Sequence, residues 1–547
     1  MDGSGKTKVL VLDDERLIRL TMEAKLRRLG YEAIAVGSVQ EAVDLLTGDE
    51  GRTFRAVISD VMMEGMDGFV FRDIVRGLDK SIPIFFMTAL DPEEGGGFLK
   101  RILEDPNSHY LPKSVKAEVL LKRVQAVVAS RSVERVIEQQ ATETRQALAL
   151  AAQVQRSMLP MRAMMGDESF YTTWWQPKEG VSGDLYEVIP LGEDCWLYVL
   201  GDVQGHGVSA ALAMTAVQSH LRRLAHHAGA PRMGVHEIAN FLQRFFRENL
   251  ADVSYMTALI CAHKPREGIV EWISCGAPDL DVLDPSGPTG DINPEKRGGL
   301  PIGLMPEAGY GPENVVRTRL SPTAVCVAHT DGVLDIARDS DVLEPMPDGL
   351  RKEILEGLIL DARRTGSTVA APYKFMAACE SLGYTRFGDD VTELIFGARL
   401  HREGMFDASV AINAESIDKT ARDIEAWAEK LGWDVPLATR VQLVLEEKLM
   451  NLYEHGFDYR QRLREVACIR VKDLDGEVAL TIWDCGTPDP SMAVAAGSTD
   501  VAFDLANLKM SDGGRGRLMV RDMCAGIERN RYGPLNETVY HIPKQAK

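Results

Sequence analysis

VISDVMM, residues 57–63, decides how the first part of the chain folds. Apolar and small residues run straight into Asp60, as where a buried parallel strand ends and a carboxylate emerges at the sheet's carboxyl edge. KVLVL (8–12) runs into Asp13 and Asp14 in the same way. AIAV (33–36), IPIFFM (82–87) and HYL (109–111) are further short apolar runs. Amphipathic stretches such as 16–29, stopped by Gly30, separate them. Strands alternating with helices predict a doubly wound, parallel five-stranded sheet. Its first and third strands end side by side, so Asp13, Asp14 and Asp60 share one pocket. Three carboxylates repel one another unless a divalent cation, most naturally Mg²⁺, joins them. Thr88 follows the fourth strand and Lys113 the fifth. Their hydroxyl and ammonium suit the oxygens of a phosphoryl group on Asp60.

The order Asp14, Asp60, Thr88, Lys113 resembles the receiver domain of two-component response regulators, over about residues 6–131. That resemblance implies Asp60 as phosphoacceptor and Tyr110 as the switch aromatic. It also implies a sensor histidine kinase or phosphotransfer protein upstream. Pro112-Lys113 reverses the family's usual order of those two residues.

The chain is long enough for several domains, with 547 residues, 45% hydrophobic and 26% charged. A net charge of -19, from 81 acidic and 62 basic residues, argues against a nucleic-acid surface. Eight scattered cysteines, with no C-x-x-C pair, read as free thiols rather than a disulfide or zinc framework. The start, MDGSGKTKVLVLDDE, has no signal-peptide core, and no apolar run reaches the roughly 18 residues a membrane span needs. A cytoplasmic protein is expected.

Residues 115–159 contain no glycine and predict a long connecting helix. Val133, Val136, Ala147, Leu150 and Val154 sit at heptad-compatible spacings, interrupted by Gln140 and Glu143. The segment reads equally as half of a dimeric coiled coil or as one amphipathic helix packed on its own domain.

Beyond it the pattern turns β-rich to about residue 400. SGDLYE (182–187), GDVQGHG (201–207), HTDGVLD (329–335) and GDDVT (388–392) each set an aspartate beside or near glycine. Asp184, Asp202, Asp331 and Asp389 at separate strand ends are suited to two Mg²⁺ or Mn²⁺ ions roughly 4 Å apart with a bridging water. His206 and His329 read as structural hydrogen-bonders rather than ligands. These motifs resemble the SpoIIE/RsbU branch of the metal-dependent Ser/Thr phosphatases (PPM family), an α-β-β-α sandwich. AAQVQRSMLP (151–160) matches the segment leading into that branch. The resemblance implies Asp184, Asp202, the Val203 carbonyl, Asp331, Asp389 and Asp390 as the metal set. Ser182 replaces a usual glycine, and CGAPD (275–279) replaces the branch's Ala-Gly-His-Pro-Pro.

The last unit places Glu447, Asn451 and His455 four apart in LVLEEKLMNLYEHG, on one face of a predicted helix over 436–455. An Asn oxygen suits the Mg²⁺ of Mg-ATP, and a Glu one turn earlier suits a general base. Asp484 and Gly486 in WDCGTPDP suit an adenine amine and close approach, and GGRGR (513–517) offers backbone N–H groups, with Gly514 and Gly516, to phosphates. The set resembles the GHKL ATPase fold, in particular anti-sigma-factor serine kinases such as RsbW. Arg517 stands where an aliphatic residue is commoner. His401 ends a strand without the helical hairpin a histidine kinase needs.

The expected organisation is a receiver domain (1–131), a helical linker (132–160), a phosphatase (161–400) and a GHKL ATPase or kinase (404–547). This order resembles HsbR-like regulators of an anti-sigma-factor antagonist. It implies a phosphoserine phosphatase and an opposed serine kinase acting on a STAS-type antagonist, with a sigma factor as a further partner and a homodimer through the linker helix. Two readings stay open: a C-terminal unit that only binds a sigma factor or antagonist, and a phosphatase acting on a small molecule.

Overall fold

The computed structural model describes residues 7–545 except 49–50, 64–66, 80, 89–95, 193, 206, 227–232, 251–254, 287–298, 306, 340–343, 366–367, 458–464 and 488–513. The chain divides into two compact units, Met1–Gln146 and Ala147–Lys547.

In the first unit, β1 (Lys8–Leu12), β2 (Glu32–Val36), β3 (Phe54–Asp60), β4 (Ile84–Thr88) and β5 (Ser108–Pro112) form a parallel sheet in the order β2-β1-β3-β4-β5. Helices α1 (Arg16–Arg28), α2 (Val39–Thr47), α3 (Gly68–Leu78) and α4 (Gly96–Leu103) alternate with these strands. The central strands are apolar throughout because both faces are covered: Val9 and Val11 join one core, Leu10 and Leu12 the other. Asp67 caps α3 by accepting from the Phe69 and Val70 amides. This is the doubly wound receiver sheet expected from the sequence.

Helix α5 (Ala117–Met158) covers nearly all of the predicted connector. Leu120 and Val124 near its start belong to the receiver core, and Gln155 near its end is buried in the second unit. Leu150 and Val154 on the expected seam are exposed, whereas the side chains of Val133 and Val136 lie outside the described set.

In the second unit, β6 (Ala163–Met165), β7 (Ser169–Gln176), β8 (Asp184–Pro190), β9 (Trp196–Val203), β10 (Met256–Lys264), β11 (Ile269–Cys275), β12 (Asp281–Leu283), β13 (Val316–Arg319), β14 (Val325–His329) and β17 (Val391–Ala398) build two five-stranded sheets. Their orders are β13-β11-β10-β9-β8 and β12-β14-β17-β7-β6. A short ribbon pairs β15 (Ala337–Arg338) with β16 (Tyr384–Arg386). Helices α6 (Val208–Arg222) and α7 (Val235–Asn249) pack on the first sheet, and α9 (Ala371–Ser381) packs on the second beside α8 (Asp348–Thr365).

The C-terminal sheet runs β18 (Met405–Ala411), β19 (Val466–Asp473), β20 (Glu477–Asp484), β22 (Leu535–Pro543), β21 (Gly526–Tyr532). Helices α10 (Ala414–Lys430) and α11 (Val435–Asn451) bury their apolar faces in its core, and α12 (Gly514–Met523) adds Val520. Asn413 and Asp434 cap α10 and α11 through the amides of Ser416 and Leu437. The predicted helix over 436–455 is corrected here: α11 stops at Asn451, and Leu452–Gly456 is a π-turn.

The two parts of the second unit share a core. Ala163, Met165, Trp174 and Tyr373 from the two-sheet part cluster with Cys468, Trp483 and Leu535 from the C-terminal sheet. The Met165 amide donates to Ser409 Oγ at 2.7 Å.

Candidate functional site

The receiver pocket stands at the carboxyl edge of its sheet. Asp60 closes β3 and Asp13 follows β1, both buried. Ligand oxygens of Asp13, Asp14 and Asp60 all lie within 4.8 Å of one another, which fits one divalent cation. Lys113 Nζ lies 2.6 Å from Asp60 Oδ2 and 3.3 Å from Asp13 Oδ2. Burial pushes the Asp13 carboxyl up, opposed by the hydrogen bond from the Glu15 amide and by the Lys113 charge. Burial opposes the Lys113 charge, but the hydrogen bond to Asp60 and the charges of Asp60 and Asp13 outweigh it and raise the ammonium. Thr88 ends β4 and lies in register with Pro112, and Tyr110 is half-buried on β5.

The carboxylates expected to hold two metals meet between the two central sheets. Asp184 and Asp202 face each other in register across β8 and β9. Asp331 follows β14 and Asp389 precedes β17, its ladder partner. The site is crowded with negative charge. Burial, then the Asp202 carboxylate, pushes Asp184 well up. Burial, then Asp331, Asp389 and Asp390, raises Asp202 to about 7. Burial, then Asp389 and Asp335, raises Asp331. Among the described residues, no Lys or Arg side chain lies within ion-pair distance of Asp184, Asp202, Asp331 or Asp389. Carboxylates in that state fit divalent cations. Among the described residues, the receiver trio is the group of acids whose ligand oxygens all lie within 4.8 Å of one another. A Cβ on Gly183 would stand 2.8 Å from the Val203 carbonyl oxygen, so this glycine keeps the carbonyl clear.

Three sets of contacts around these motifs could not be read from the sequence. Thr330 and Thr392 donate to Asp184 Oδ2 at 2.9 and 2.6 Å and fix its orientation. Asp390 accepts from the Lys178 and Gly183 amides at 2.7 and 2.8 Å. Both its oxygens thus accept a hydrogen bond, and they tie Asp390 to the Gly183 loop. Gln155 on α5 donates to the Ser182 carbonyl at 2.6 Å and accepts from the Ser182 amide at 2.9 Å. His329 is buried against the Thr330 carbonyl and Arg351, as a structural hydrogen-bonder, and His206 lies outside the described residues.

These shifts set a pH dependence. Folded Asp202 titrates near 7 instead of 3.8, so the folded chain holds a proton that the unfolded chain releases. Metal-free protein therefore loses stability as pH rises from about 4 to about 7. A divalent cation replaces that proton, so Mn²⁺ should raise the melting temperature more at about pH 8 than at about pH 6. An equal metal-induced shift at both pH values would contradict this reading.

In the C-terminal unit, Asn451 Nδ2 donates to Glu447 Oε1 at 3.0 Å, leaving the Asn451 oxygen for a cation. His455 falls in the π-turn, is largely exposed and lies 3.7 Å from Glu454. The helical spacing to Glu447 and Asn451 expected for it is broken there. Asp484 is buried, and its Oδ1 accepts from the Gly486 amide and Asn536 Nδ2 at 3.0 and 2.9 Å. Lys448 Nζ lies 3.0 Å from Asp484 Oδ2. Asp484, expected at the adenine amine, thus already faces a cation, which the sequence reading missed. A Cβ on Gly486 would come 2.8 Å from Leu452 and 3.2 Å from the Gly456 carbonyl, so the turn requires glycine. Gly514 and Gly516 open α12, while Gly513 lies outside the described residues.

Three family models match separate stretches of the chain. Residues 9–125 match the response regulator receiver domain, 192–399 the Stage II sporulation protein E (SpoIIE) family, and 410–540 the histidine kinase-like ATPase domain. Two-component response regulator ARR12 of Arabidopsis thaliana is 33% identical over 23% of this chain and 20% of its own length. Response regulator MprA of Mycobacterium tuberculosis is 31% identical over 24% and 56%. The chain thus spans well under two thirds of these relatives. Among solved structures, the RsbU and RsbW domains of a Mycobacterium tuberculosis protein match 70% of this chain and 95% of that one, at 16% identity and a TM-score of 0.35. The SiaA-PP2C domain of Pseudomonas aeruginosa matches 47% and 98%, at 20% identity and a TM-score of 0.38. The chain carries a receiver domain, a SpoIIE-type phosphatase domain and a histidine kinase-like ATPase domain. No described helix is long and apolar enough to cross a membrane.

Proposed function

We propose that this regulator sets the phosphorylation of a serine on a STAS-type anti-sigma-factor antagonist. Its SpoIIE-type domain removes the phosphate, its ATPase domain restores it from Mg-ATP, and phosphorylation of Asp60 by an upstream sensor kinase or phosphotransfer protein sets the balance. Asp184, Asp202, Asp331, Asp389 and the Val203 carbonyl would hold two Mg²⁺ or Mn²⁺ ions. Those ions supply Lewis-acid charge at the transferred phosphoryl group. Asn451 would hold the Mg²⁺ of ATP, and Glu447 would take the serine hydroxyl proton.

The observation that carries the regulatory part is the Gln155 contact. Gln155 lies on the helix that starts in the receiver core, and it grips Ser182 by both amide atoms, two residues from Asp184. A shift of α5 at that point changes the shape of the Gly183 loop and with it the Asp184 position. Arg222 reinforces the link by donating to the Met158 carbonyl while paired with Glu187. Gln155→Leu should lower phosphatase turnover about 10- to 100-fold and weaken metal binding, the usual range for outer partners of metal ligands. Unchanged turnover in that variant removes the link.

The test of the whole switch compares both rates on one purified antagonist, with and without acetyl phosphate, in wild type and Asp60→Ala. Phosphorylated wild type should favour the phosphatase, and Asp60→Ala should not respond. An unchanged ratio despite confirmed phosphorylation of Asp60 sinks the switch.

The Lys448–Asp484 pair favours a second reading, in which the C-terminal unit binds a sigma factor or antagonist without transferring phosphate. ATP binding without labelling of the antagonist would establish it.

A further inference from the structure

A second polar site lies where the phosphatase part meets the C-terminal sheet. A cavity with about 20 Å³ for water-sized groups is lined by Arg363 of α8, Arg399 and Arg402 of the connecting segment, and Arg470 of β19. Asp407 of β18 is the one carboxylate among its lining residues. Arg470 spends two nitrogens on it, at 2.6 and 2.8 Å.

The contacts of Arg363 and Arg399 go to backbone carbonyls. Arg363 donates to the Ala324 and Ala398 carbonyls, and Arg399 to the Gly166 and Asp407 carbonyls. Three buried nitrogens have no partner: Arg363 Nε, Arg399 Nε and Arg470 Nη1. Arg363 and Arg470 are each only 5% exposed. Buried donors without acceptors are rare, and three around one cavity need an explanation. Phe170 under Arg363 and Trp483 beside Arg470 hold those two guanidiniums in place.

The surrounding groups also register excess positive charge. Burial and then Arg402 lower Arg363 to about 10, against Cys326 and Asp284, which pull it up. Burial, then Arg470 and Arg402, lowers Lys472, against Asp407. Water in the cavity would accept hydrogen bonds but bring no counter-charge. The space exceeds the roughly 10–15 Å³ one water needs, and planar guanidiniums favour oxyanions.

We propose that this junction binds a small free oxyanion, of the phosphate and sulfate class, which ties α8, the connecting segment and β19 together. The test is calorimetric titration of the full chain carrying Asp331→Ala, in chelator, with inorganic phosphate, so that the metal sites take none. One phosphate should bind, sulfate should compete, and Arg399→Gln should weaken binding at least about tenfold. Arg399→Lys, which keeps the charge, should lose less. Arg363→Gln should match Arg399→Gln where it folds, and Arg399→Gln decides alone where it does not. No binding, or affinity unchanged in Arg399→Gln, overturns the site. AMP binding as tightly as phosphate overturns the assignment to a free ion, because the bulky nucleoside exceeds the cavity.

Discussion

Asp331→Ala should reduce phosphoserine hydrolysis by at least about 10³-fold, equivalent to roughly 4 kcal/mol of transition-state stabilisation. Asp331 follows β14, within the influence of Asp202 and Asp389, and no described Lys or Arg is placed to take over its charge. Asp202→Ala should behave alike, because its register with Asp184 puts it between the sheets. Neither change should unfold the protein. Each removes one like charge from a repelling group, so the metal-free variants should melt at or above the wild-type temperature near neutral pH. That split, activity lost while metal-free stability holds or rises, separates a ligand from a merely structural acid. Full activity in either variant, or in excess chelator, would remove the two-metal site.

The second large effect is expected in the ATPase unit. Glu447→Gln should keep nucleotide binding and lose about 10²- to 10⁴-fold in serine phosphorylation, the range for a positioned base. Gln preserves the oxygen that accepts from Asn451 Nδ2, so the local hydrogen bond survives and only the proton acceptor is lost. Asn451→Ala should instead abolish Mg-dependent nucleotide binding. Transfer persisting in Glu447→Gln would assign the base elsewhere.

The sequence carried a great deal of this. Strand ends made Asp13, Asp60 and Lys113 legible, since parallel strands of short apolar runs can bring their carboxyl ends together in few ways. The phosphatase aspartates were legible from their glycine neighbours. Partners far along the chain were not. Gln155 meets Ser182 across 27 residues, and Thr330 meets Asp184 across 146. No local pattern encodes such pairings. Lys448 stood inside the quoted helix, but its role depends on which face of α11 meets β20, and the helical period alone does not decide that. The π-turn escaped for a similar reason: Gly456 and Gly486 pack around Leu452, so tertiary contact overrides the four-residue step.

The core shared by Trp174, Tyr373, Trp483 and Leu535 has a bearing on how the phosphatase part and the C-terminal part work together. Lys374 lies over the Tyr532 ring and 3.8 Å from Glu537, adding a polar stitch beside that core. The C-terminal part is therefore no cassette swinging on a tether. A client released by one centre would not be handed over by linker motion but would diffuse and be recaptured, at odds set by solution concentration. Cutting the chain after Leu400 would also bare an apolar wall. The separated halves should be sticky and poorly soluble, and should regain solubility when mixed.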